Sequence, residues 1–131
     1  MTAGRRFALR VYYEDTDFSG LVYHASYLRF LERGRTEWLR ALGLRQGAIH
    51  AGEAPYAFVV RRMTIDWLKP ARMDDWLTVE TRVTTMRGAT VELSQSILRD
   101  DARLLDAQVT IACIGDGRPR RLPPALRSAD V

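Results

Sequence analysis

The spacing of apolar residues changes period twice along this chain, and each change marks an element. Residues 7–13 alternate, with Phe7, Leu9, Val11 and Tyr13 on one side, as in a half-buried strand. Glu14, Asp15, Thr16 and Asp17, followed by Ser19-Gly20, break that pattern into a turn or loop. Over residues 27–42 the period becomes helical. At about 100° per residue, Tyr27, Leu28, Phe30, Leu31, Gly34, Trp38, Leu39 and Leu42 share one half of the wheel. Arg29, Glu32, Arg33, Thr36, Glu37 and Arg40 fill the other half. Arg35 alone falls on the apolar side, where it is expected to snorkel or to pair with an acid. Ser26 reads as the N-cap of this helix and Gly43 as its stop.

Beyond a loop through Gly47, Gly52 and Pro55, alternation returns. Val59, Met63, Ile65 and Trp67 lead up to the break at Lys69-Pro70. Leu77, Val79 and Val83 mark a strand over residues 76–86, and Arg87-Gly88 turns it into Val91, Leu93 and Ile97. Asp100-Asp101 is a further turn, and Leu105, Ala107, Val109, Ile111 and Cys113 form the last long strand. The order is one strand, one long helix and about four strands on short turns. The economical packing is α+β, a single antiparallel sheet covering one helix. The expected organisation is one domain over residues 1–131, with residues 117–131, rich in arginine and proline, as a loosely packed tail.

Composition narrows the function only a little. Hydrophobic residues at 47% and charged residues at 27% are ordinary for a soluble globular protein. No apolar run approaches the roughly 20 residues needed to span a bilayer, and no apolar segment follows the basic start as in a signal peptide. A single cysteine, Cys113, excludes an intrachain disulfide and a cysteine-based zinc cluster, so a cytoplasmic protein is expected. The net charge is +4, and all but one of the 20 basic residues are arginine. That excess favours a phosphate-bearing partner: nucleic acid, a membrane surface, or coenzyme A.

Candidate chemistry concentrates in residues 12–27, Y-Y-E-D-T-D-F-S-G-L-V-Y-H-A-S-Y. A carboxylate lies just ahead of a helix whose first N–H groups have no partner, an arrangement suited to hydrolysis. One group supplies or activates the nucleophile and the other holds the developing oxyanion. Asp17 could equally be a cap or turn acid. Glu14, Asp15 and Asp17 could form a hard-metal site, but three clustered acids are more often a solvated loop, and no metal is expected. His24 could contribute its imidazole or only its backbone. His50 reads as inert. No G-x-S-x-G elbow and no Gly-rich phosphate loop is present, which removes a serine triad and nucleotide hydrolysis.

The run Y-Y-E-D-T-D-F-S-G-L-V-Y-H-A-S-Y-L-R-F-L-E-R-G-R-T-E-W-L-R, residues 12–40, closely resembles the hotdog-fold acyl-CoA thioesterases of the 4-hydroxybenzoyl-CoA thioesterase type. Among these it looks most like the bacterial thioesterases associated with the Tol-Pal system. A second block, F-V-V-R-R-M-T-I-D-W-L-K-P-A-R-M-D-D, residues 58–75, looks like theirs as well. The resemblance implies a hotdog fold, a long helix wrapped by five or six antiparallel strands. It also implies a homodimer with sheets joined edge to edge, often paired again into a homotetramer. It implies that Asp17, the acid of Thr16-Asp17-Phe18-Ser19-Gly20, is catalytic, and that the His24 backbone N–H, four residues beyond Gly20, is the oxyanion donor. The cap reading differs slightly, since an N-cap at Ser26 leaves that N–H just outside the helix. No cofactor is implied beyond the coenzyme A of the substrate.

A thioester is already activated, so an aspartate can attack its carbonyl or align a water without a strong base. Gly20 shapes the motif's turn, and Tyr13, Tyr23 and Tyr27 could line the acyl pocket or simply pack. Arg61, Arg62, Lys69, Arg72 and Arg87 are placed to meet the coenzyme A phosphates, though each alone reads as a solvated charge. Two rivals remain. One is release of acyl or polyketide chains from an acyl carrier protein, which a basic rim could dock. The other is a non-enzymatic module for nucleic acid or anionic membrane. The arginines are too scattered to favour it, and only Arg118-Pro119-Arg120-Arg121 clusters.

Overall fold

The alternating second half of the chain does become a sheet, because each apolar set lands on one face. In the computed structural model, which describes residues 4–127, the strands are β1 (Arg5–Arg10), β2 (Ala57–Trp67), β3 (Trp76–Arg87), β4 (Thr90–Arg99), β5 (Ala102–Gly115) and β6 (Arg118–Pro119). They form one antiparallel sheet in the order β1-β3-β4-β5-β2, with β6 paired to the end of β5. Leu77, Val79 and Val83 on β3, Val91, Leu93 and Ile97 on β4, and Leu105, Ala107, Val109, Ile111 and Cys113 on β5 are all buried, as their spacing predicts. The tight turns demand left-handed backbone, supplied by Gly88 between β3 and β4 and by Asp100 between β4 and β5.

Helix α1 (His24–Ala41) packs on the inner face of this sheet through Tyr27, Phe30, Leu31, Trp38 and Leu39. Gly34 permits the closest approach: a Cβ built there would lie 2.5 Å from Val79 Cγ1. Arg35 enters the core beside it but neither snorkels nor finds an acid. It donates to Gln95 Oε1 at 3.1 Å, and Gln95 Nε2 donates to the Leu31 carbonyl (3.0 Å) and Thr81 Oγ1 (2.9 Å). Burial holds the Arg35 guanidinium below its ordinary pKa. This polar strut ties helix to sheet.

Six details depart from the sequence reading. Helix α1 begins at His24, not Tyr27, because Ser26 is not a cap. Its hydroxyl donates to the Asp15 carbonyl at 3.1 Å from inside the first turn. Tyr13 leaves the strand: a 3-10 turn (Tyr13–Asp15) follows β1 and turns its ring to solvent. Leu28, on the apolar half of the wheel, is 43% exposed. A bulge between Val60 and Arg62 resets the alternation of β2, so Val59 and Val60 are both exposed. The segment read as a loose tail is pinned over its described part. Leu122 and Leu126 are buried, the latter in α3 (Pro124–Arg127), while residues 128–131 lie outside the described residues. A short helix, α2 (Gln46–His50), also interrupts the expected loop and ends on the exposed His50.

Candidate active site

The three acids of the first block part company in the structure. Asp15 is buried and structural: its Oδ2 accepts the Tyr12 N–H at 2.8 Å, and its carbonyl accepts the Tyr23 N–H at 2.9 Å. Glu14 is exposed on the 3-10 turn. Asp17 opens a tight hairpin in which Thr16 pairs with Val22, Asp17 N–H reaches the Leu21 carbonyl (3.0 Å) and Gly20 N–H returns to the Asp17 carbonyl (3.0 Å). Gly20 sits at φ +80°, which is why the motif ends in glycine. With Asp15 committed to backbone donors, the acids converge on no cation. Among the described residues no group of three His, Cys, Asp or Glu side chains is arranged to hold a metal.

The Asp17 carboxylate is exposed and accepts from Ser19 twice, from its hydroxyl and from its N–H at 2.8 Å. The Ser19 hydroxyl, then its N–H, then the nearby His24 hold the Asp17 pKa below the ordinary carboxylate value. Asp17 is therefore an anion at neutral pH. Four residues beyond Gly20, His24 is the first residue of α1. The N-cap position falls on Tyr23, which makes no side-chain cap bond, and among the described residues nothing accepts the His24 N–H. The helix thus opens with a bare donor and its positive dipole end.

Both sequence blocks build one pocket. The hairpin seats on the segment after β2, where Val22 N–H donates to the Ala71 carbonyl (2.9 Å) and Leu21 pairs with Arg72. Ala71 N–H in turn donates to the hydroxyl of buried Tyr27 at 2.9 Å. Between them lies a cavity of about 320 Å³ lined by Asp17, Ser19, Leu21, Val22, His24, Tyr27, Trp67, Leu68, Lys69 and Pro70. Leu21, Val22, Trp67, Leu68 and Pro70 make the apolar part of its wall, and Asp17, Ser19, His24 and Lys69 the polar part.

Of the residues singled out from sequence, Asp17, His24, Tyr27 and Lys69 meet here. Gly20 shapes the turn and does not line the cavity. Tyr23, half exposed, stands beside it with its ring edge-on to His24 at 6.2 Å. Arg61, Arg62 and Arg87 do not join this pocket within the chain. They line a groove on the other face of the sheet with Thr85, Thr90, Glu92 and Thr110. Sequence reasoning missed Ser19 as the partner of Asp17, although an acid two residues before a serine in a turn is the signal for such a bond. It also missed Trp67 and Leu68 as walls, since alternation marked Trp67 only as a strand residue.

The sequence pattern of the thioesterase superfamily matches residues 19–105, from Ser19 in the hairpin through α1 and β2 to β4 into the start of β5. The chain belongs to the thioesterase superfamily. Individual relatives agree over nearly the full length. Acyl-CoA thioester hydrolase YbgC of Escherichia coli is 45% identical over 92% of this chain and 91% of its own. Acyl-CoA thioesterase YbgC of Haemophilus influenzae is 44% identical over 96% of this chain and 93% of its own. Among solved structures, a probable thioesterase from Bartonella henselae superposes with a TM-score of 0.89 at 46% identity, covering 92% of this chain and all of that one. The sheet wrapped on one long helix is thus the hotdog fold of this thioesterase superfamily, and the protein is a thioester hydrolase.

Proposed function

We propose that the protein hydrolyses acyl-CoA thioesters to the free acid and coenzyme A, with Asp17 as nucleophile or general base and the His24 N–H as oxyanion donor. The observation that carries this reading is the meeting, in one pocket, of an ionised carboxylate and an uncapped helix N-terminus. Relatives of similar length bear the names acyl-CoA thioester hydrolase and acyl-CoA thioesterase. In the general-base route, water attacks the carbonyl carbon while Asp17 takes its proton. The oxyanion gathers on the His24 N–H, the C–S bond breaks, and the thiolate leaves to be protonated. In the nucleophilic route, Asp17 itself attacks the carbonyl carbon, the C–S bond breaks to release the coenzyme A thiolate, and water then hydrolyses the acyl-enzyme anhydride to free acid and Asp17. Neither route needs a cofactor beyond the coenzyme A of the substrate.

Lys69, which lines the pocket, and Arg72, paired to its Leu21 wall, serve the coenzyme A phosphates in this reading. The protein works as a homodimer or homotetramer joined at β2, whose outer edge is unpaired among the described residues and exposes Val59 and Val60. No described helix is long and apolar enough to cross a membrane, and the free buried Cys113 suits the cytoplasm. Thiol release from a panel of acyl-CoAs and from an acyl carrier protein thioester tests the substrate. Turnover of CoA esters is expected. Activity on the carrier ester alone would replace the donor, and none on either would overturn the reading.

A further inference from the structure

We propose that the Trp67 indole is the wall that selects acyl groups by size at the Asp17 pocket. This rests on the hydrolase reading above. Trp67 is the last residue of β2, and the backbone just beyond it is fixed: the N–H groups of Leu68 and Lys69 both donate to the Leu104 carbonyl, at 3.0 and 3.1 Å. The indole is boxed by two rings. His24 meets it edge-on with centroids 5.0 Å apart, and Tyr27 does the same at 5.3 Å. Tyr27 cannot yield, being buried and held by its hydrogen bond to Ala71 N–H. The indole therefore stands as a fixed wall and not as a swinging lid.

Its remaining surface faces the pocket, and Trp67 is 47% exposed. An apolar ligand laid against that surface is stabilised by the apolar area it removes from water. The space beside it is small. A cavity of about 320 Å³ holds roughly ten water-sized groups. Leu21, Val22, Leu68 and Pro70 add no hydrogen-bonding side chain to the lining. Selection therefore acts on size and shape, and truncating Trp67 is the direct way to lengthen the space.

The test is kcat/KM from acetyl- to palmitoyl-CoA for wild type, Trp67→Phe, Trp67→Leu and Trp67→Ala, with fold and size in solution checked for each. The ratio of long-chain to short-chain activity should rise in the order of decreasing side-chain size, by about tenfold or more in the smallest variant that folds. Active, folded variants with the wild-type ratio would overturn the role of Trp67 and leave the hydrolase reading standing. Variants that only lose oligomeric state, with no graded change in the ratio, would also overturn it. Wild type inert on every acyl-CoA would remove the hydrolase reading and this inference with it.

Discussion

Three carboxylates within four positions carry different duties because of where the backbone donors fall. Asp15 is consumed by the Tyr12 N–H, Glu14 faces water, and Asp17 alone combines exposure to the pocket with two donors from Ser19. The sequence displayed the acid, the glycine and the helix beyond them. It did not display which acid would be free, since that depends on a 3-10 turn hidden among strand-like tyrosines. The Ser19 hydroxyl has a measurable consequence. With the Asp17 pKa held below its ordinary value, the carboxylate protonates, and the rate is lost, at lower pH than for an aspartate without the Ser19 donors. Ser19→Ala removes the largest lowering influence, so the acidic limb of kcat/KM should move to higher pH. A limb that stays in place would mean that Asp17 ionisation does not govern the rate.

Helix α1 was legible in its period and illegible in its first turn. The apolar half of its wheel gave Phe30, Leu31, Gly34, Trp38 and Leu39 correctly, because 3.6-residue spacing directly reflects burial against a sheet. Ser26 misled because a serine near a helix start has two uses, and here its hydroxyl binds the Asp15 carbonyl instead of capping. The displaced start matters for chemistry, since it makes His24 the first helical residue with its N–H free. Gly34 shows the opposite tension between element and packing. Alanine would gain about 1 kcal/mol in helix propensity, yet its Cβ would press on Val79, and overpacking costs about 1–3 kcal/mol. Gly34→Ala should therefore lower the denaturation midpoint. A raised midpoint would show that helix and sheet can separate without cost.

At the scale of the whole molecule, the sheet and its inner face followed from alternation alone, while the assembly of the site did not. The two blocks that carry the family resemblance are separated by residues 41–57, and only the fold shows why both are needed. The hairpin of the first hydrogen-bonds to Ala71 of the second, and Tyr27 closes the same joint. Arginine counting pointed to phosphates but not to place, since Arg61 and Arg87 project from the face away from the pocket. The tail beyond Gly117 looked loose because proline and arginine mask two leucines that the core takes in. What the fold assembles is one carboxylate facing one bare helix end, and the most direct test removes only the carboxylate's charge. Thiol release from acyl-CoA should fall by at least about a hundredfold in Asp17→Asn, in a protein whose fold and size in solution match wild type. Undiminished release in that variant would contradict the account at its centre.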